Sequence, residues 1–184
     1  MPNNMSLKEL YKKEIVPKLQ EEFGYSNLHA VPTIKSVTLN VGLGAGLKDA
    51  KFLETAEKTL IRISGQKPVK TKARISISTF KIREGMIVGM KVTLRGKRMW
   101  TFLEKLLMIS LPRIRDFRGL PEKAFDGRGN YSIGFKEHIA FPEIRSDEIE
   151  LLHGLQVTLA TSAKTDKEAK ALLTHLGLPL VKKV

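Results

Sequence analysis

Four short stretches of this chain alternate apolar and polar residues with a period of two, and no other feature restricts the fold as much. Val37, Leu39 and Val41 alternate with Ser36, Thr38 and Asn40, and Val69, Thr71 and Ala73 with Gln66, Pro68, Lys70 and Lys72. Met90, Val92 and Leu94 alternate with Lys91, Thr93 and Arg95, and Leu155, Val157 and Leu159 with Gln156 and Thr158. Successive side chains of a strand point to opposite faces, so each stretch reads as a half-buried strand. Laid side by side, the four give a sheet with one apolar side for helices to cover and one side of amides, hydroxyls and cations. The pattern is that of a sheet with helices packed on one face and a polar, basic face left open.

The helices needed to cover it are legible. Ser6 and Glu9 form a capping box before Leu7, Leu10, Tyr11, Ile15, Leu19 and Phe23, which recur at helical spacing until Gly24. Pro17 lacks the amide to continue the ladder and should kink or split that helix. A second helix, from about Lys48, packs through Phe52, Leu53, Ala56, Leu60 and Ile63 and stops at Gly65. MWTFLEKLLMISLPRI is apolar around most of its circumference and reads as a central buried helix, with Trp100 and Phe102 as core aromatics. Thr165 and Glu168 open a last helix through Ala169, Leu172, Leu173 and Leu176.

Charge then says what the open face meets. The 184 residues carry 32 Lys and Arg against 19 Asp and Glu, a net charge of +13. Between Lys67 and Arg98 ten cations face the single acid Glu84. A charge run of this kind is either a solvated face or a polyanion site, and its concentration on one side of paired strands favours the polyanion. The plate holds no Phe, Tyr or Trp for stacking single-stranded bases, and no recognition helix or zinc finger for duplex DNA is visible. Asn, Gln and Thr both donate and accept, which suits the 2′-hydroxyls and base edges of structured RNA, while Lys and Arg hold phosphates. The polar parity as a whole, Ser36, Thr38, Asn40, Gln66, Thr93, Gln156 and Thr158, therefore offers the polar RNA contacts, and Lys67, Lys70, Lys91 and Arg95 are the expected phosphate contacts. Between the two basic strands, ISISTFKIREG reads as a long loop that carries Ile75, Ile77, Phe80 and Ile82 outward toward a partner. The length fits a single RNA-binding domain, residues 1–184, with a protruding loop at about 73–85.

Enzyme chemistry finds little support. GLGAG follows a strand and precedes a helix, but Leu47 stands where the third glycine of a dinucleotide fingerprint belongs, and no acid follows at ribose distance. His29, His138, His153 and His175 lack ligand spacing, and Glu143, Asp147, Glu148 and Glu150 follow one another as a solvated acidic stretch. There is no cysteine. No cofactor, metal or catalytic residue is expected. In FDGRGNYSIGF the glycines imply sharp turns or a close backbone approach, to RNA or to a neighbouring helix. No apolar run nears the roughly 18 residues that span a bilayer, and MPNNMS lacks the order of a signal peptide, so a cytoplasmic, non-membrane protein is expected.

Five blocks in order, ISGQKPVKTKAR, FKIREG, GMKVTLRGKRMW, LPRIRDFRGL and FDGRGNYSIGF, with VTLNVG before and FPEI after, resemble the universal large-subunit ribosomal protein five family in its bacterial form. The resemblance implies an α+β fold, a mostly antiparallel four- or five-stranded sheet with helices packed on one face and a polar, basic open face, in a ribosome-associated structural protein that binds 5S ribosomal RNA in the central protuberance through its sheet, with Asn40, Gln66 and Thr93 at RNA-touching positions. It implies that the loop is a finger toward the peptidyl-site transfer RNA, carried here by Arg74, Ser76, Ser78, Thr79, Phe80, Lys81 and Arg83. It further implies a contact with small-subunit ribosomal protein thirteen, to which no residues are assigned, and leaves 23S ribosomal RNA open as a partner. The sequence departs from the family at the finger, with Ile75 where relatives often carry a basic residue and Thr79 where glycine is common. That implies a less electrostatic tip.

Overall fold

The computed structural model describes residues 5–44, 49–115, 117–144 and 151–181. It is α+β, with four helices and a five-stranded antiparallel sheet. The helices are α1 (residues 7–23), α2 (Ala50–Ser64), α3 (residues 96–110) and α4 (Asp166–His175). The strands are β1 (Ile34–Gly42), β2 (Val69–Lys72), β3 (Ile87–Leu94), β4 (Leu120–Pro121), β5 (Tyr131–Phe135), β6 (Leu155–Thr161) and β7 (Leu180–Val181). The main sheet runs β2-β3-β1-β6-β5, and β4 pairs with β7 in parallel. Along the chain the residues group into two compact units, one formed by the segments ending at Val37, Leu94–Ile133 and Thr158 onward, the other by Thr38–Thr93 and Gly134–Val157.

In the first unit α1 packs against α3 and α4. Glu9 reaches back to the Ser6 amide (3.4 Å), which completes one arm of the capping box. Pro17 neither splits nor stops α1. The turn before it, Tyr11–Ile15, widens to a π-helix, which removes the clash a proline ring makes with the carbonyl four residues back. In α3 the segment Leu106–Ser110 is also π-helical. Phe102, Leu103 and Leu106 are buried as expected, but Met108 and Ile109 are 51% and 44% exposed, so α3 is buried on one side only. Trp100 is half-buried rather than core, and lies against Tyr11 with ring centroids 5.4 Å apart and planes tilted by 35°.

The glycine-rich segment, expected to be irregular, contains a strand. In β5, Tyr131, Ile133 and Phe135 are buried and alternate with Ser132 and Gly134. Its approach loop is fastened by Asp126, whose carboxylate accepts from the Asn130 side chain (2.6 Å) and from the amides of Arg128 (2.8 Å) and Asn130 (3.0 Å). Those donors, the Asn130 side chain foremost, hold the Asp126 carboxyl below its usual range. Gly129 meets a neighbouring segment of the protein itself. A Cβ there would lie 3.0 Å from Ala163, and the Gly129 amide donates to the Asp166 carboxylate at the start of α4 (2.8 Å).

In the second unit α2 is capped by the Asp49 carboxylate, which accepts from the Lys51 amide (2.9 Å), and ends at the left-handed Gly65. Its inner face is Phe52, Ala56, Thr59, Leu60 and Ile63. Beyond β5, Phe135 meets Phe141, and the rings of His138 and His153 stack with centroids 4.1 Å apart and 13° between planes. Of the expected acidic stretch Glu143 is half-buried, and Asp147, Glu148 and Glu150 lie outside the described residues, as do Ala45 and Gly46 of GLGAG.

Candidate nucleic-acid interface

Three neighbouring strands of the second unit, β1, β3 and β2, carry the expected site. On β1, Leu39 and Val41 are fully buried while Thr38 and Asn40 are half-exposed; on β3, Met90 and Val92 are buried while Lys91 is exposed and Thr93 half-exposed. The Leu43 amide donates to the Val88 carbonyl (3.0 Å), a register that sets Asn40 opposite Lys91 and Thr38 opposite Thr93 in the antiparallel pair. Asn40, Lys91 and Thr93 therefore share one face.

The β2 strand is read in the wrong phase from sequence. Val69 pairs with Lys91, Lys70 with Met90, and Thr71 with Gly89. Directly paired residues share a face, so Val69 and Thr71 lie on the open side and Lys70 on the side of the buried Met90. Three observations agree: Val69 is 61% exposed, Pro68 is buried, and the Lys70 ammonium is 2.7 Å from Glu57 of α2. Lys70 is thus a cation bridging strand to helix, and Val69 and Thr71 are not core residues. Short edge strands with one apolar and one cationic set offer little to decide their phase, because lysine stems pack over apolar surface almost as readily as valine. The buried proline and the acid on α2 were the available clues. An irregularity follows between Thr71 and Lys72.

The other expected residues fall around this face. Gln66 is half-buried in the turn after Gly65, where its amide and carbonyl both meet Ser64 Oγ (3.2 and 3.0 Å), ahead of the paired register. Lys67 is exposed one residue later. Arg95, also exposed, follows β3 at the N-cap position of α3. Among the described residues the side chains of Asn40, Thr71 and Thr93 have no hydrogen-bond partner, whereas Ser132 and Thr158 of β5 and β6 bond each other (3.1 Å). The face along β1, β3 and β2 thus offers donors and acceptors that the fold itself does not use.

Beyond β2 and β3 the chain continues as a hairpin-like finger. The Ala73 amide donates to Met86 (2.8 Å) and the Gly85 amide to Ala73 (3.0 Å), and Ile77 and Ile82 exchange both bonds (2.9 and 3.1 Å). Lys81 takes a left-handed backbone conformation, φ 54°, to close the turn from Ser78. Arg74, Ser76, Ser78, Thr79, Phe80, Lys81 and Arg83 are all exposed. Ile75 and Phe80 are 73% and 68% exposed, a density of outward apolar surface that free-standing loops avoid. The Ser76 hydroxyl is used within the finger, accepting from the Glu84 amide (2.9 Å).

Residues 27–83 match the family model described as Ribosomal protein L5, and residues 87–180 match the model of the same ribosomal family's C-terminus. The chain belongs to the ribosomal protein L5 family. It is 55% identical to the large ribosomal subunit protein uL5 of Mycoplasma pneumoniae over 96% of this chain and 98% of that protein. It is 51% identical to the uL5 of Symbiobacterium thermophilum, over 97% and 99%, and 53% identical to that of Streptococcus pneumoniae, over 96% and 98%. As an L5-family protein it is a structural, non-enzymatic constituent of the large ribosomal subunit, acts in translation, and has its place in the cytoplasmic ribosome. Among the described residues no helix is long and apolar enough to cross a membrane.

Proposed function

We propose that this L5-family protein holds 5S ribosomal RNA against the open face of β1, β3 and β2. The observation that carries the reading is the set of unpaired polar side chains, Asn40 beside Lys91 and Thr93 one step along, over a floor of buried strand residues. A flat, rigid plate of such groups suits the wide, shallow groove of an RNA helix, where 2′-hydroxyls and base edges are within reach of short side chains. Asn40, Gln66 and Thr93 contact sugars and bases; Lys67, Lys91 and Arg95 hold phosphates. Lys70, already engaged with Glu57, contributes less. The finger, with Arg74, Lys81 and Arg83 around Phe80, contacts the peptidyl-site transfer RNA. Contacts with small-subunit ribosomal protein thirteen and with 23S ribosomal RNA complete the proposed placement in the central protuberance.

Filter binding of purified 5S ribosomal RNA across a salt series tests the division of roles. Lys91→Ala should weaken binding and lower the slope of log K against log salt by about one phosphate's worth, roughly 0.7–0.9, while Asn40→Ala and Thr93→Val weaken binding with the slope unchanged. Equal slopes for both classes, or equal affinity for 5S ribosomal RNA and an unrelated duplex DNA, refutes the proposal.

A further inference from the structure

We infer that Thr71 is a specificity-determining residue of the open face, whose hydroxyl recognises a ribose 2′-hydroxyl and so helps the sheet choose RNA over DNA. The inference rests on the RNA-binding reading above and adds a residue that sequence alternation assigns to the core. Pairing of Thr71 with Gly89, and of Val69 with Lys91, puts Thr71 on the face of Asn40, Lys91 and Thr93. Gly89 leaves room for it. A Cβ on Gly89 would stand 2.9 Å from Thr71 Oγ1 and 3.0 Å from the Val41 carbonyl oxygen, so the hydroxyl lies over the bare glycine, low against the sheet. It is half-exposed and pairs with no other described residue.

Two residues away on the same face, Val69 presents an apolar surface that is 61% exposed beside the Lys91 charge. A phosphate has no use for that surface. A ribose does, because its carbon face packs on a branched aliphatic side chain while its 2′-hydroxyl both donates to and accepts from a threonine hydroxyl. A sugar resting on Val69 and Thr71 leaves the adjoining phosphate for Lys91, which divides one nucleotide's chemistry among three neighbouring side chains. The bland alternative, a threonine placed in an edge strand only for its β-branched shape, predicts that valine would serve equally well.

The experiment uses the full-length protein, 5S ribosomal RNA transcribed with sparse 2′-deoxy substitutions, and the variants Thr71→Val and Thr71→Ser. Thr71→Val should weaken binding about five-fold without altering the salt slope, and Thr71→Ser should restore it. One 2′-deoxy position that weakens the wild type by a similar factor should have no further effect on Thr71→Val and regain its effect with Thr71→Ser. Wild-type affinity in a folded Thr71→Val, or 2′-deoxy penalties that all persist in that variant, overturns the role of Thr71 and leaves the RNA-binding face standing. Failure of the wild type to bind 5S ribosomal RNA removes both.

Discussion

Stability should fall on mild acidification because of one buried aromatic pair, and His153→Phe should remove most of that fall. His138 and His153 stack face to face, both are buried, and the edge of Phe52 closes the far side of His153 at 6.3 Å between centroids. Loss of hydration holds the His153 imidazole down to about 4 from an ordinary 6.5, and the proximity of His138 adds to the effect. His138 is lowered as well, again by burial first. Between those two values the unfolded chain binds a proton at His153 that the folded chain refuses, so stability is complete above pH 6.5 and declines as pH falls toward 4. A displacement of that size corresponds to about 3 kcal/mol across the window, a large share of a typical domain's stability. Phenylalanine keeps the flat ring and cannot titrate, losing only the contact of Nδ1 with the Gly154 carbonyl oxygen (3.2 Å). Urea unfolding of wild type and His153→Phe, followed by far-UV circular dichroism from about pH 7 to about pH 4.5, measures the difference, in which carboxylates common to both proteins cancel. Parallel pH dependences for the two proteins, or an NMR titration of His153 with its midpoint near 6.5, refute the reasoning.

Other outcomes follow from particular contacts. Lys70→Ala should cost less than about 1 kcal/mol in thermal unfolding, as expected for a half-exposed ion pair with Glu57, and should change the salt dependence of RNA binding less than Lys91→Ala does. Gly119→Ala should destabilise by roughly 1–3 kcal/mol, since Gly119 has φ 96° and a Cβ would overlap Val181; adding Val181→Ala should recover the steric part only, as read by denaturant midpoints. Phe80→Ala should leave 5S ribosomal RNA binding unchanged and weaken retention of peptidyl-site transfer RNA by reconstituted ribosomes; a defect in 5S binding instead would mean that the finger belongs to the sheet's own RNA site.

Legibility in the sequence tracked how strongly each segment was constrained by its own neighbours. For β1, β3 and β6, each buried on its apolar parity, the period of two gave the right face, and the helix stops at Gly24 and Gly65 are the left-handed residues observed there. β5 was hidden because glycines flank and interrupt a genuine alternation, so turn chemistry outweighed periodicity. Pro17 does not split α1 because one widened turn absorbs its ring. Of the site, Asn40, Lys91 and Thr93 were recovered together, since two long strands fix their phase. Thr71 and Lys70 exchanged sides because four residues at a sheet edge do not. The stacking of His138 on His153, fifteen positions apart, leaves no local trace in sequence at all.

The phase of β2 also decides what kind of surface this is. With Lys70 turned toward α2, the paired positions of the open face on β1, β3 and β2 read Thr38 and Thr93, then Asn40, Lys91 and Val69, then Gly42, Gly89 and Thr71. Lys91 is the single cation in those rows, although the chain as a whole carries a net charge of +13. Lys67 and Arg95 stand at the margins instead, in the turn before β2 and at the start of α3. On the proposed function, a plate of hydroxyls, an amide and bare glycine, rimmed by charge, would separate two tasks: the rim would draw in any polyanion, and the plate would accept only one whose sugars and base edges fit its unpaired groups. Discrimination between folded RNA and other nucleic acids should therefore persist at salt concentrations that abolish most of the affinity, because the groups that make the choice are uncharged.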